Sequence, residues 1–284
     1  MPDASPSTVR LRKIGRSLRH LREEAGQTLK TAGRHLERSG SSLSLIENGL
    51  QPLRLRDLEH ILNRYRVPLP ESAALMTLAE QQQQSGWWDA YKDFISHETL
   101  DRVSLEFSAS RIVTTETTFI PGLLQTEDYT HALNRAGLPD APAAVVSRYV
   151  DFRLQRQQIL KRPDPTHLYV TLDEGALRRI RGGRYVMRAQ LKRLLNESEQ
   201  EHVFLRVLPF TADGGPHYVG HFQLVDIGTP PILSVVLVDH LTGHWILEDE
   251  AQVERFREKS ILVEPSTLSE AESRTLIQSV MSDL

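Results

Sequence analysis

Residues 28–49, Thr-Leu-Lys-Thr-Ala-Gly-Arg-His-Leu-Glu-Arg-Ser-Gly-Ser-Ser-Leu-Ser-Leu-Ile-Glu-Asn-Gly, constrain the fold of this chain more than any other stretch. Thr28 and Ser39 are N-capping residues, each followed by a short helical pattern, and Asn48-Gly49 is a helix stop. Apolar residues at Leu29, Ala32 and Leu36, then at Leu43 and Ile46, give each short helix one inward face. Two helices of this length joined by a tight turn suit few tasks, and laying the second into a DNA major groove is the leading one.

The flanking sequence completes a small helical bundle. Leu11, Ile14, Leu18 and Leu21 recur at helical spacing, and Gly26 ends that first helix. After a loop closed by Pro52, a fourth helix carries Leu55, Leu58, Ile61, Leu62 and Tyr65 and stops before Pro68. Charge separates this region from the rest. Residues 10–68 hold thirteen Lys and Arg against six Asp and Glu, whereas residues 69–284 hold twenty-one against thirty, inside an overall net charge of −3. A basic module on an acidic body is expected where only the module meets a polyanion. A basic packing arm for that body is the plainer alternative.

These residues resemble the Xre/lambda-repressor class of helix-turn-helix regulators. Leu18, Arg22 and Gly26, then Ser39, Ser41, Leu43, Ser44, Ile46, Glu47, Asn48 and Gly49 carry the likeness. The resemblance implies a DNA contact set of Ser39, Gly40, Ser41, Ser42 and Ser44. It also implies that Glu47 buttresses the fold by pairing with an arginine of the first helix. Leu29 and Leu45 stand where the family often has Gln and Arg. The reading face is therefore serine-rich, with no Arg, Asn or Gln for a bidentate base contact. Lys30, Arg34, Arg38, Arg54 and Arg56 supply phosphate contacts to double-stranded DNA. Regulators of this class bind palindromic sites as homodimers.

Beyond the bundle, 69–86 reads as a linker helix running into a polar hinge at 81–86, and 87–284 as a second, α+β domain; residues 1–9 read as a flexible tail. Trp87 and Trp88 are adjacent, so on a helix one serves the core while the other lines a groove, unless both are packing residues. The stretch 98–116 is mixed in character. Helices are expected at 126–136, 143–160, 174–180, 185–195, 249–261 and 267–282. Strands are expected at 167–172, 203–208, 218–226, 232–239 and around 244–247. The fold class is multi-domain: an all-α helix-turn-helix domain, then an α+β domain with an antiparallel sheet.

Gly86-Trp87-Trp88, Pro121-Gly122-Leu123-Leu124-Gln125-Thr126, Arg153 with Arg156-Gln157, Met187 with Gln190-Leu191, and Arg206 to Phe210 occur in that order. Together they resemble an uncharacterised actinobacterial domain that follows an Xre-type helix-turn-helix, as in WhiJ-type developmental regulators. The resemblance implies a transcription regulator whose second domain senses a ligand or a small partner protein encoded nearby, in a pair sometimes described as antitoxin-like. An antitoxin-like module that sequesters the partner, with vestigial DNA binding, is the alternative. Arg178, Arg179, Arg181 and Arg184 open a basic run to Arg193 without an acid, suited to an acidic partner, a phosphorylated ligand or more DNA backbone, or simply to a solvated face.

Enzymatic readings find no support. His217/His221 and His240/His244 have H-x₃-H spacing, but in strands such pairs stand roughly 13 Å apart, too far for one metal. A cross-strand pairing of His221 with His240, near Asp226 or Asp239, is the remaining metal option, and packing histidines are the simpler reading. Asp173-Glu174 and Glu248-Asp249-Glu250 read as helix N-terminal acids. Gly182-Gly183 and Gly214-Gly215 lack a phosphate-loop context, and no G-x-S-x-G elbow occurs. No cofactor, metal or catalytic residue is expected. The chain has no cysteine and no run of 18 apolar residues, so a cytoplasmic, non-membrane protein is expected.

Overall fold

The computed structural model describes residues 7–212, 220–240 and 243–284. The chain divides into two compact units after Ser104. The first is helical: α1 (Val9–Glu24), α2 (Leu29–His35), α3 (Gly40–Glu47), α4 (Leu55–Arg64), α5 (Leu69–Gln83), a 3-10 turn at Trp87–Tyr91, and α6 (His97–Phe107), within which the division falls. Thr8, Thr28 and Ser39 cap α1, α2 and α3, each hydroxyl accepting the backbone N–H three residues on.

The first four helices all stop in the same way. Gly26, Glu37, Gly49 and Arg66 take φ values of +63°, +55°, +67° and +55°. The next N–H then reaches back: Gln27 to Arg22, Arg38 to Gly33, Leu50 to Leu45 and Val67 to Leu62, at 3.1, 2.8, 2.9 and 3.0 Å. This Schellman closure turns the chain sharply, so that short helices share one core around Leu18, Leu43, Ile46, Leu58 and Leu62. Between α1 and α3 glycine is required at two positions. A Cβ on Gly49 would fall 2.8 Å from the Arg12 nitrogen, and one on Gly15 would fall 2.6 Å from the Ile46 oxygen. These two positions let α3 close against α1.

α5 continues through Gln83, into the stretch expected as a hinge. Gln82 Oε1 accepts the Thr8 hydroxyl at 2.6 Å and Gln81 Oε1 accepts Arg10 Nε at 3.4 Å. Arg10 is 1% exposed and also donates to the Ser104 hydroxyl and carbonyl at 2.8 and 2.9 Å. Burial lowers its pKa to about 10, against the opposing pull of Asp101. The polar run thus solvates a buried guanidinium, and one cation of the basic region never reaches the surface.

The second unit is built on a six-stranded sheet: β1 (Arg111–Glu116), β2 (His167–Asp173), β3 (Val203–Leu208), β4 (Phe222–Ile227), β5 (Leu233–His240) and β6 (Gly243–Leu247), in the order β3-β2-β1-β4-β5-β6. The expected antiparallel sheet is realised in β4–β5–β6, and β4 joins β1 antiparallel. β1, β2 and β3 are instead parallel, so the sheet is mixed. Each parallel step is bridged by helices: α7 (Glu127–Gly137) and α8 (Ala143–Gln155), then α9 (Glu174–Arg178) and α10 (Arg184–Glu197). Such crossovers are what return a chain to the same strand direction. The mixed stretch 98–116 resolves into α6 followed by β1.

One sheet face is covered by α11 (Glu250–Val263), whose Val253 and Phe256 pack on Val113, Phe222, Leu224 and Val236. α12 (Glu270–Ser282) lies along β3, where the Ser273 hydroxyl accepts the Val207 N–H at 2.9 Å. Asp173 and Asp249 cap α9 and α11, as their acidic clusters suggested.

Three of the separated sequence motifs, those around residues 121–126, 153–157 and 187–191, meet at one loop, 120–126. Gln125 Nε2 donates to Ile120 O at 2.7 Å, and its Oε1 accepts the Thr130 hydroxyl at 3.1 Å. Gln190 accepts the Thr126 N–H at 2.7 Å and donates to Leu124 O at 2.8 Å. Gln157 donates to the carbonyls of Gly122 and Gln125 at 3.0 and 2.8 Å, and Arg193 donates to Gln125 O and Gln157 Oε1, both at 2.8 Å. Gln125, Gln157 and Gln190 are all buried. A loop inside a core must have its backbone groups paired, and these side chains pair them. Arg156 forms a two-pronged ion pair with the buried Glu106, both contacts at 2.8 Å.

Candidate nucleic-acid interface

α3 is fixed on α1 by one buried ion pair. Arg22 Nε and Nη2 donate to the Glu47 carboxylate at 2.7 and 2.9 Å, while Arg22 Nη1 holds Gln27 O at 2.9 Å. The hydrogen bond to Glu47 raises the Arg22 pKa, outweighing the effect of burial, so the guanidinium stays charged. Arg19 adds a bond to Asn48 Oδ1 at 2.7 Å. Glu47 therefore serves the scaffold, in the role the resemblance implied.

On this scaffold Ser39 and Ser41 are exposed, their hydroxyls 3.0 Å apart, while Gly40, Ser42 and Ser44 are half-buried. The loop after α3 contributes a residue that sequence reasoning missed. Gln51 sits with Oε1 3.4 Å from the Ser42 hydroxyl, which puts a bidentate-capable amide beside the serine row. Its only signal was proximity to the Asn48-Gly49 stop, which folds the following residues back along the helix. Leu45 and Leu50, 45% and 51% exposed, occupy the two positions that commonly pair across a Schellman stop.

The five expected phosphate contacts fall into two groups. Lys30, Arg34 and Arg54 are exposed and make no ion pair among the described residues. Arg38 Nη2 is bound to Asp57 at 2.8 Å and Arg56 Nε lies 3.4 Å from the same carboxylate. Three cations are thus uncommitted, and two share one acid.

The expected partner-binding residues belong to both units, Trp87 and Trp88 to the first and Arg178, Arg179, Arg181 and Arg184 to the second. Trp88 is buried with its ring over Gly86, which puts it in a packing role. Half-buried Trp87 meets Trp88 and Tyr91 edge-on at 6.0 and 5.9 Å. In the basic run, Arg178 is tied to Glu174 at 2.6 Å, Arg184 reaches Asp283 O at 3.1 Å, and Arg193 turns inward to the 120–126 loop. Arg179 and Arg188 are exposed, and Arg181 lies 5.0 Å over the Phe119 ring.

The histidines also sort themselves. His217 and Gly214-Gly215 lie outside the described residues. His221 Nδ1–H donates to Glu116 at 2.8 Å and Nε2–H to Asp239 at 3.0 Å. Burial disfavours its charged form, but the bonds to Asp239 and Glu116 more than offset this and raise its pKa to about 9. The two carboxylates grip opposite ring nitrogens, so they do not converge on a single metal position. Asp226, offered as a neighbour, instead binds Arg257, and the His240 ring lies tilted by 38° beside Trp245 at 4.8 Å.

Comparison with known families accounts for both units. A helix-turn-helix domain profile matches residues 13–75. A profile described as a domain of unknown function, DUF5753, matches residues 100–279, well over half of the chain. The chain belongs to the DUF5753 family. The DUF5753 region takes in the whole sheet and the loop at 120–126, and its pairing with a helix-turn-helix domain is the fusion expected from the sequence. The helix-turn-helix domain is that of a DNA-binding regulator. No curated protein and no solved structure matches. Among the described residues, no helix is long and apolar enough to cross a membrane.

Proposed function

We propose that this protein is a transcription regulator of the Xre/lambda-repressor type, resembling WhiJ-type regulators, that binds double-stranded DNA as a homodimer. The observation that carries the reading is the exposed Ser39–Ser41 pair at the start of α3, a helix held by the Arg22–Glu47 pair, together with the uncommitted cations Lys30, Arg34 and Arg54 of the same unit. Ser39, Gly40, Ser41, Ser42 and Ser44 face the bases, with Gln51 as the amide able to recognise adenine, while Arg38 and Arg56 contribute more weakly because Asp57 shares their charge. Placing a charge at Ser41 (Ser41→Glu) abolishes retention of genomic operator fragments while leaving the circular dichroism melt unchanged. Neutralising Lys30, Arg34 or Arg54 reduces the slope of log affinity against log salt by about 1 each. Wild-type affinity in the Ser41→Glu variant would remove α3 from the interface.

The DUF5753 unit is read as the sensor of a small partner protein. Exposed Phe119 under Arg181, with exposed Ile180 and Tyr185 beside them in sequence, supplies the mix of aromatic and arginine groups that anchors protein interfaces. A second reading, an antitoxin-like module with vestigial DNA binding, is favoured by the half-exposed Leu45 in place of an arginine. Mobility shifts with and without the neighbouring gene's product separate the two: retardation by the regulator alone supports the first, and tight partner capture without any retardation supports the second.

A further inference from the structure

We propose that the DUF5753 unit carries a cleft for a small anionic ligand, one presenting a carboxylate or a phosphate, at the start of β1 on the sheet face that α11 covers. The cleft has a volume of about 460 Å³ and its wall includes Ser110, Arg111, Asp226, Thr229 and Arg257. That volume falls within the range of small-molecule sites.

The charges in the cleft are unequally used. Strand register sets Arg111 opposite Asp226. Arg257, from α11, donates through Nη1 and Nη2 to Asp226 at 2.9 and 2.8 Å, and the Ser234 hydroxyl donates to it at 2.6 Å. Asp226 is almost wholly buried, and these partners consume its carboxylate. Arg111 has only a marginal contact to it, 3.5 Å from Nη1. Two guanidinium groups therefore meet one buried acid, and the charge of the second faces the opening. Glu254 also reaches Arg257, at 3.3 Å, but it is 59% exposed and screened by solvent.

Arg111 is nonetheless held in place. Its guanidinium lies 4.8 Å over the Tyr169 ring, and Tyr169 is itself stacked on Phe204 at 4.5 Å and 12°. A guanidinium steadied from beneath, with most of its fork uncommitted, is the arrangement that takes oxyanions bidentately. Ser110 already donates to Asp226 O and Gly228 O at 3.2 and 2.8 Å, so it shapes the wall. The Thr229 residue is exposed at the rim.

The test uses the full chain without DNA, so its failure leaves the DNA-binding reading untouched and the reverse also holds. Inorganic phosphate and benzoate are titrated separately by calorimetry against sodium chloride of equal ionic strength. Saturable binding of at least one probe in the millimolar range is expected, and which probe binds tells a phosphate ligand from a carboxylate one. Arg111→Gln weakens it at least tenfold, Arg111→Lys weakens it less, and Lys161→Gln, an exposed cation elsewhere in the unit, leaves it unchanged. In the wild type, amide resonances of 110–111 and 228–229 shift with the same midpoint, a readout that needs no variant. No saturable binding above chloride, equal binding by Arg111→Gln, or equal loss in Lys161→Gln overturns the proposal.

Discussion

The serine row of α3 and the glutamine cluster around residues 120–126 are both polar, and they use their polarity in opposite ways. In the cluster, Gln125, Gln157 and Gln190 have their amides spent on backbone groups of one buried loop. On α3, Ser39 and Ser41 are exposed and bond mainly to each other and to the helix end. Both stretches stood out in the sequence as motifs. Only the second leaves hydrogen-bonding capacity pointing outward, and capacity left outward is what a partner can use. A motif in a chain like this therefore marks either a site or the internal carpentry of a loop, and solvent exposure tells which.

The contrast can be broken most forcefully at its base. Glu47→Ala leaves the buried Arg22 with only the exposed Glu23 as an acid partner, and a loss of about 3 kcal/mol is expected in the first unit. Differential scanning calorimetry of the full chain should then show one early transition, with the transition of the DUF5753 unit in place. Coincident loss of both transitions would mean that the units do not unfold separately.

Gln190→Leu sharpens the comparison from the other side. It leaves the Thr126 N–H and the Leu124 carbonyl unpaired in the interior, at a cost of about 2–3 kcal/mol. The melting temperature of the second unit should fall while operator affinity holds. An unchanged melt would show that the loop needs no internal partners.

A smaller effect is expected from His221. Its folded pKa, about 9, lies above the ordinary imidazole value of 6.5. The stabilisation it supplies is therefore complete below about pH 6.5 and is lost as pH rises through about 9, on the order of 2 kcal/mol for a group only partly shielded from solvent. Urea titrations at pH 6 and pH 9.5 should differ by that amount, and His221→Gln should flatten the difference.

The smallest effect has the opposite sign. Glu37 holds a left-handed φ of +55° at the stop of α2, between the two helices of the reading motif. Glu37→Gly relieves that strain and should stabilise the first unit by about 0.5–1 kcal/mol, visible as a raised midpoint in denaturant.

Much of the architecture was legible in advance. Thr28, Ser39 and Gly49 marked the ends of α2 and α3 because capping chemistry is local, and the first four helices follow from apolar spacing. Glu47 could be assigned to the scaffold before any contact was seen. The parallel half of the sheet was harder, since β1 is a six-residue mixture of Arg, Ile, Val, Thr and Glu whose partners lie far along the chain. The role of Gln81 and Gln82 was hidden for a similar reason: glutamine in a polar run reads as solvent-facing until a buried Arg10 is found beside it.

Local sequence alone determined where helices begin and end, which faces turn inward, and that a basic helical module is joined to an acidic body. Those properties depend on residues a few positions apart. Tertiary structure decided which cations stay uncommitted, that Asp57 takes up Arg38, that Gln51 comes beside Ser42, and that Arg111 and Arg257 share a single buried acid. The reason is physical: a charge or an amide acquires its function from what remains unpaired after folding, and pairing is settled between residues that the chain brings together only in three dimensions.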